Sequence, residues 1–372
     1  MKTKISLPPL TYRKLFKKKQ QDGFEDKSIG DYVAYLVRDI RLNDTVRDFV
    51  QEGTLNTLLP LWMQNFSDNL PYIRFGNNLI MKTKKYDCHN LAELANPEPT
   101  LDNPPLHSAI VIGRGPSLFK NKHLEMLSKA VNSGKFKGII CASDGILIEC
   151  LKHGVLPNLT TTVDGSPIIK KWYDHPLVRK YGSKLNIALS TTTNHEVYEI
   201  VKKANCNIFW FQPMFDDPMN IEGWTKIQRL MTISKFNTKP LQTISVGGNT
   251  GATSWVMATS LFKCAPTALI GMDMSYPEGT KLEDTPYYSS IINNKIPLTT
   301  AYKEVYHPFF KTKAHIDAVF TGYRESFLEF QSKSPLWYHH YGGTKNCSEG
   351  GSLWGAGIEC MRFADFLSKY HK

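Results

Sequence analysis

Two glycines one residue apart, followed by Pro and Ser, stand in the chain as Gly113-Arg114-Gly115-Pro116-Ser117, directly after the apolar run HSAIVI. Glycines at the end of a strand let the backbone turn sharply and approach a ligand without a Cβ in the way. A helix that follows offers N–H groups and a positive dipole end to a phosphate. The segment is a phosphate-loop candidate, with a ligand-free strand-to-helix turn as the equal alternative. It is not the Walker pattern, because no Gly-Lys-Ser/Thr follows, and it lacks the third glycine of the dinucleotide fingerprint. Two Asp-Gly pairs, Asp144-Gly145 and Asp164-Gly165, close the next two apolar runs. One Asp in a turn is ordinarily an Asx turn or a helix cap. Two such pairs beside a Gly-x-Gly turn, all at strand ends, point to one ligand crevice.

Three further segments fall where the same logic would place them. Residues 190–194, which include Thr192 and Thr193, can give hydroxyl and amide partners to a sugar or base, while Asn194 suits a helix N-cap. The start Gly248-Asn249-Thr250 of a small-residue helix offers either an anion pocket or close packing on a sheet. After the last apolar run come Asp273 and Tyr276. Of the eleven histidines none forms the His-Glu-x-x-His pattern, and no Gly-x-Ser-x-Gly elbow is present, so zinc or serine hydrolysis is not indicated. His307 is the chosen candidate for a general base closing over the crevice from the C-terminal part, against the plainer reading of a packed side chain.

These turns need elements to hold them. The runs HSAIVIG, KGIICAS, NLTTTV, LNIALS, CNIFWF and PTALIGM are about five residues each and are separated by helix-length stretches. That alternation predicts a doubly wound, mostly parallel, Rossmann-like α/β sheet over residues 106–280, with its ligand crevice at the carboxyl ends of the strands. Residues 22–80 show a helical pattern within an N-terminal region, 1–100, that begins with a basic leader. The segment NPEPTLDNPP, four prolines in residues 96–105, marks the expected boundary. Residues 281–372 read as a cap, ending in a helix over residues 355–370.

A chain of 372 residues with 41% hydrophobic and 21% charged side chains can bury a full core, which excludes disorder and fibrous folds as the main state. The net charge of +11 is partly concentrated: residues 1–19 hold seven Lys or Arg and no acid. The remaining excess is dispersed. No nucleic-acid groove is indicated, only a general pull on anionic small molecules. The leader reads as a solvated tail, with peripheral membrane contact as the second reading and no integral span. Lacking an apolar signal segment, the chain is expected in the cytoplasm. Seven cysteines without a CxxC pair argue against a disulfide framework and against a zinc cluster.

Taken together, GRGPSL, then ASDGILIECLKHGVLPNLTTTVDG, then GGNTGATSWVMATSLFKCAPTALIGMDMSY resemble the MptE-like domain family. That family includes archaeal 6-hydroxymethyl-7,8-dihydropterin diphosphokinases and the bacterial motility accessory factors that glycosylate flagellin. A C-terminal echo at residues 346–351 also resembles the accessory factors. The diphosphokinase branch carries acidic and basic positions at which this chain has Thr162, Gly251, Thr253 and Ser254. The resemblance therefore implies, first, a glycosyltransferase that uses a CMP-activated sugar of sialic-acid or nonulosonate type, with no metal or other cofactor required. Its acceptor would be a glycan or protein. The alternatives are an ATP- and Mg²⁺-dependent pterin diphosphokinase and a non-catalytic nucleotide- or sugar-binding module. By resemblance, Gly113, Arg114, Gly115, Pro116 and Ser117 would hold the nucleotide phosphate, and Asp144, Gly145, Asp164 and Gly165 the ribose or base. Thr192, Thr193, Gly248, Asn249 and Thr250 would face the donor, Asp273 and Tyr276 would form the floor, and His307 would take the acceptor proton.

Overall fold

The computed structural model describes residues 44–76, 89–214, 216 and 223–371, with side chains from residue 58 onward. In chain order the strands are β1 (His89–Asn90), β2 (Ala109–Ile112), β3 (Ile139–Ser143), β4 (Leu159–Thr162), β5 (Asn186–Ser190), β6 (Asn207–Pro213), β7 (Thr243–Ile244), β8 (Thr267–Ile270), β9 (Tyr276–Pro277), β10 (Tyr302–His307), β11 (Thr312–Asp317), β12 (Thr344–Asn346) and β13 (Ile358–Cys360). Among the helices, α1 (Asp44–Phe75), α2 (His123–Asn132), α3 (Trp224–Met231), α4 (Thr250–Val256), α5 (Ala318–Ser332) and α6 (Phe363–Lys369) carry the packing that follows.

The main sheet runs β1-β6-β5-β4-β3-β2-β8-β12-β13, with β7 beside β6, and its pairings are parallel. From β2 the chain steps outward through β3, β4, β5 and β6, then returns to place β8 on the other side of β2. This is the doubly wound, Rossmann-like α/β architecture expected from the six apolar runs, each of which forms one strand of the sheet. The order reverses between β2 and β3 on one side and β2 and β8 on the other, so a crevice opens at their carboxyl ends.

Both faces of the sheet are covered, as a parallel sheet demands. Alternation along β2 shows how: Val111 packs with Trp255, Met257 and Phe327 on the α4 side. Ile110 and Ile112 pack with Leu124 and Leu127 of α2 and Phe363 and Phe366 of α6 on the other side. Each such side chain, wholly removed from water, contributes roughly 1.5–3 kcal/mol. A second, antiparallel sheet, β10-β11-β9, leads into α5.

Some elements differ from expectation. The terminal helix is α6 and not residues 355–370, because Gly355 (φ +154°) and Gly357 (φ +79°) turn the chain into β13 first. β12, β13 and α6 come from residues expected to cap the sheet, and β1 from residues before the proline-rich segment, yet all are part of the sheet or pack on it. Of the expected N-terminal helical stretch, α1 is seen. Residues 22–43, 77–80 and the basic leader lie outside the described residues. Among the described residues no helix is long and apolar enough to cross a membrane.

Candidate functional site

The crevice is built on backbone contact between the ends of β2 and β8. Gly113 N–H donates to the Ile270 carbonyl (2.9 Å) and Gly115 N–H to the Gly271 carbonyl (2.7 Å). Gly271 sits at φ +63°, and a Cβ there would lie 2.6 Å from the Gly113 carbonyl oxygen, so glycine is required by conformation and by space. Asp273 then folds its carboxylate back under the turn. Ser117 N–H donates to Oδ2 at 2.8 Å, and the Ser117 hydroxyl donates to Oδ1 in a short hydrogen bond. Burial pushes the Asp273 carboxyl above its ordinary pKa, against the two Ser117 hydrogen bonds and the nearby His123, which pull it down.

The first turn therefore differs from a phosphate cradle. The N–H groups of Gly113, Gly115 and Ser117 are all satisfied within the protein, and Asp273 holds the place an anion would take. The group this turn presents outward is Arg114. Its exposed guanidinium stands 4.2 Å from the centre of the Trp172 ring, and Lys171 Nζ stands 4.5 Å from the same ring. The stem of Arg114 passes over Gly145, where a Cβ would come within 3.1 Å of Arg114 Cδ. The end of β2 is thus tied to the end of β3.

Asp144 lies beneath. Its Oδ1 accepts the Gly145 N–H (2.7 Å), and its Oδ2 accepts the Thr162 hydroxyl (2.7 Å), which in turn is 2.8 Å from the Tyr173 hydroxyl. Thr162 feeds a hydrogen bond to Asp144 in place of a second charge. At the end of β4, Asp164 is exposed, with Oδ1 held by Ser166 N–H at 2.8 Å. Tyr287 and Tyr323 are hydrogen-bonded to each other, and burial raises both above the ordinary tyrosine pKa, with the Asp164 charge a minor addition. Tyr323 of α5 also packs on Gly248, whose missing Cβ would meet the ring at 2.8 Å. Arg114 thus ties the end of β2 to Asp144–Gly145 at the end of β3, Asp164 stands at the end of the neighbouring β4, and Tyr323 packs on Gly248.

Other expected contacts have different employment. Asn249 caps α4, its Oδ1 accepting Ala252 N–H at 2.8 Å, and the carbonyl of Thr250, half-buried, accepts the Ser254 hydroxyl. Tyr276 donates to Asp317 Oδ2 (2.7 Å), the residue that caps α5 through Phe320 N–H (2.8 Å). Asp273 also offers its carbonyl to Ser352 N–H (2.8 Å), and Ser348 Oγ accepts Met272 N–H (3.0 Å), so residues 346–352 wall the crevice beside β8.

Further expectations are corrected. Thr192 and Thr193 are buried under α1, away from any donor: Asn65 Nδ2 donates to the carbonyls of Gly165 (2.9 Å) and Thr192 (3.0 Å), and Asn69 Nδ2 to those of Thr191 (3.1 Å) and Thr193 (2.7 Å). Gly165 is covered in the same way, since the Trp62 ring lies 2.8 Å from where its Cβ would be. His307 is wholly enclosed between Phe310 and Trp354, with ring centroids 4.6 and 5.0 Å away. Its Nδ1 accepts Phe310 N–H (3.3 Å), and burial lowers its pKa from 6.5 to about 4, against a hydrogen bond to the Leu353 backbone. No face of the ring is left for an acceptor hydroxyl.

The roof formed by α1 is the part that sequence reasoning missed. Its signal was the pair Asn65 and Asn69, four residues apart and so on one face of a helix. Replacing Asn69 by Ala should cost about 2–4 kcal/mol, because two buried carbonyls lose their donor. Urea unfolding measures the loss, and limited proteolysis should cut α1 sooner in the variant.

Asp144 and His307 also make opposed pH predictions. Burial raises Asp144 from 3.8 to about 6, despite the lowering hydrogen bonds from Thr162 and Gly145. The folded state then holds that proton more tightly than the unfolded state, so the contribution is present below about pH 4 and lost as pH rises to about 6. For His307 the folded state resists the proton, so stability is present above about pH 6.5 and lost as pH falls towards 4. The stability difference between the wild type and Asp144→Asn should fall by about 2 kcal/mol from pH 4 to 6. That between the wild type and His307→Gln should rise over the same span, as urea titrations at stepped pH would show.

The fold and crevice define a Rossmann-like α/β protein with its candidate site at the topological switch point. The chain belongs to the MptE-like family, described as 6-hydroxymethylpterin diphosphokinase MptE-like, which matches residues 78–279. Among solved structures it is similar to the MAf glycosyltransferase from Magnetospirillum magneticum AMB-1, with a TM-score of 0.51 and 10% identity. The match covers 81% of this chain and 38% of that protein. No curated protein matches significantly. Both descriptions are of group-transfer enzymes, and the likeness to the second is one of fold.

Proposed function

We propose that this protein is a transferase that binds a nucleotide-activated sugar, a CMP-sugar of sialic-acid or nonulosonate type, and passes the sugar to a glycan or protein hydroxyl without a metal. The observation that carries the reading is the rim itself: an exposed Arg114 that rests on Trp172 and passes over the Asp144–Gly145 end of β3, with the exposed Asp164 at the end of the neighbouring β4. Arg114 pairs with the donor phosphate, Trp172 and the Asp144–Gly145 end of β3 receive the nucleoside, and the sugar lies towards Tyr287 and Tyr323. The acceptor hydroxyl gives its proton to the Asp164 carboxylate, its oxygen bonds to the anomeric carbon, and the bond from that carbon to the phosphate oxygen breaks, CMP leaving with the electron pair. Asp164 takes the role expected of His307, because it is exposed at the rim.

Metal independence is supported by the donor set. Asp144 and Asp273 are each engaged by hydroxyl and N–H donors, and burial holds both above the ordinary carboxylate pKa. A Mg²⁺ ion takes ionised oxygens that converge on one point. The test is thermal shift with CMP, CDP and ATP, each with EDTA or Mg²⁺. Stabilisation by CMP in EDTA is the expected result. Stabilisation by ATP only with Mg²⁺ would replace the reading by the diphosphokinase, and CMP binding without turnover of a CMP-sugar would leave a binding module.

A further inference from the structure

Helix α3 is turned inside out. On a helix at the edge of a globular protein the apolar stripe ordinarily faces the core. Here the buried face carries Thr225, Gln228 and, one turn on, Thr232, at 0%, 1% and 0% exposure. Gln228 is held from below by Gln212 of β6, whose Nε2 donates to its Oε1 at 2.7 Å. The outer face carries Trp224, Ile227, Leu230 and Met231, exposed by 42%, 42%, 57% and 44%. Spacings of three, three and one place these four side chains on one stripe about 120° wide. Asp216 fixes the start of the helix by accepting the N–H groups of Trp224 (2.6 Å) and Thr225 (3.1 Å), so this orientation is anchored.

Apart from Asp216, whose carboxylate is engaged at the helix start, the charge the helix and the residues after it carry is basic. Residues 223–241 hold Lys226, Arg229, Lys235 and Lys239 and no acid, and Lys235 and Lys239 are exposed. A basic helix that displays Trp, Ile, Leu and Met to solvent has the chemistry of an interfacial helix, whose apolar side chains enter the headgroup boundary while cations pair with anionic lipid. The chain's own leader, basic as well, does not complement this surface. We infer that α3 is a peripheral docking face for an anionic bilayer surface. This holds whatever the crevice transfers, because α3 packs beside β6, which β5, β4 and β3 separate from the crevice at β2.

The test is cosedimentation of the full chain with phosphatidylcholine vesicles and with vesicles holding about 30 mol% phosphatidylserine. The expected result is binding to the anionic vesicles alone, weakened by salt, with a blue shift of tryptophan emission that Trp224→Phe reduces. Ile227→Glu with Leu230→Glu should weaken binding by tenfold or more at unchanged melting temperature. Lys235→Glu with Lys239→Glu should weaken it by a similar factor at unchanged melting temperature. Failure of the wild type to bind, or equal binding by the apolar variant, would overturn the inference. So would a concentration-dependent dimer abolished by the apolar variant, which would make a second copy the occupant of the face.

Discussion

Replacing Asp273 by Ala is expected to lower the unfolding free energy by about 2–4 kcal/mol and to abolish ligand stabilisation. The carboxylate accepts from both the N–H and the hydroxyl of Ser117, all of them buried. Each orphaned buried donor costs roughly 1–3 kcal/mol, and the turn over residues 113–117 loses its tie to the end of β8. Asp273→Asn should cost less, about 1 kcal/mol, because one oxygen is kept and an amide carries no desolvation penalty for charge. Urea unfolding of the two variants beside the wild type gives the order. Equal loss in both would mean that the charge of Asp273, and not its hydrogen bonds, holds the turn.

Arg114→Ala is expected to do the reverse, leaving stability within about 0.5 kcal/mol of the wild type while weakening nucleotide binding roughly tenfold or more. The guanidinium is exposed and rests on the face of Trp172, so little of the fold depends on it. A charge-assisted hydrogen bond to phosphate is worth about 1.5–3 kcal/mol. Arg114→Lys should recover part of the affinity, because the charge remains while the planar fork and its stacking are lost. Calorimetric titration with CMP reads all three proteins. Unchanged affinity in Arg114→Ala would remove this residue from the site.

Much of the sheet was legible because parallel strands covered on both faces read as unbroken apolar runs, as in Ala109–Ile112 and Thr267–Ile270. β12 and β13, three residues each with Lys345 and Glu359 among them, carry no such run, so their place beside β8 comes from tertiary packing alone. The meeting of Gly115, Asp144 and Asp164 at one rim followed from strand order. What the turn at Gly113 does with its N–H groups did not, because the Asp273 carboxylate that fills it is 156 residues beyond Ser117. Thr192, Thr193 and His307 have suitable chemistry by type. Their burial depends on α1 and on Trp354, which no local pattern connects to them.

Hydrogen exchange of the full chain with CMP in EDTA tests the central claim most directly. Slowed exchange confined to the turns at residues 113–117, 143–146 and 162–166 and to the segment around Trp172 is the predicted result. Slowing elsewhere, or slowing that appears only with ATP and Mg²⁺, would contradict a metal-free nucleotide site at this rim.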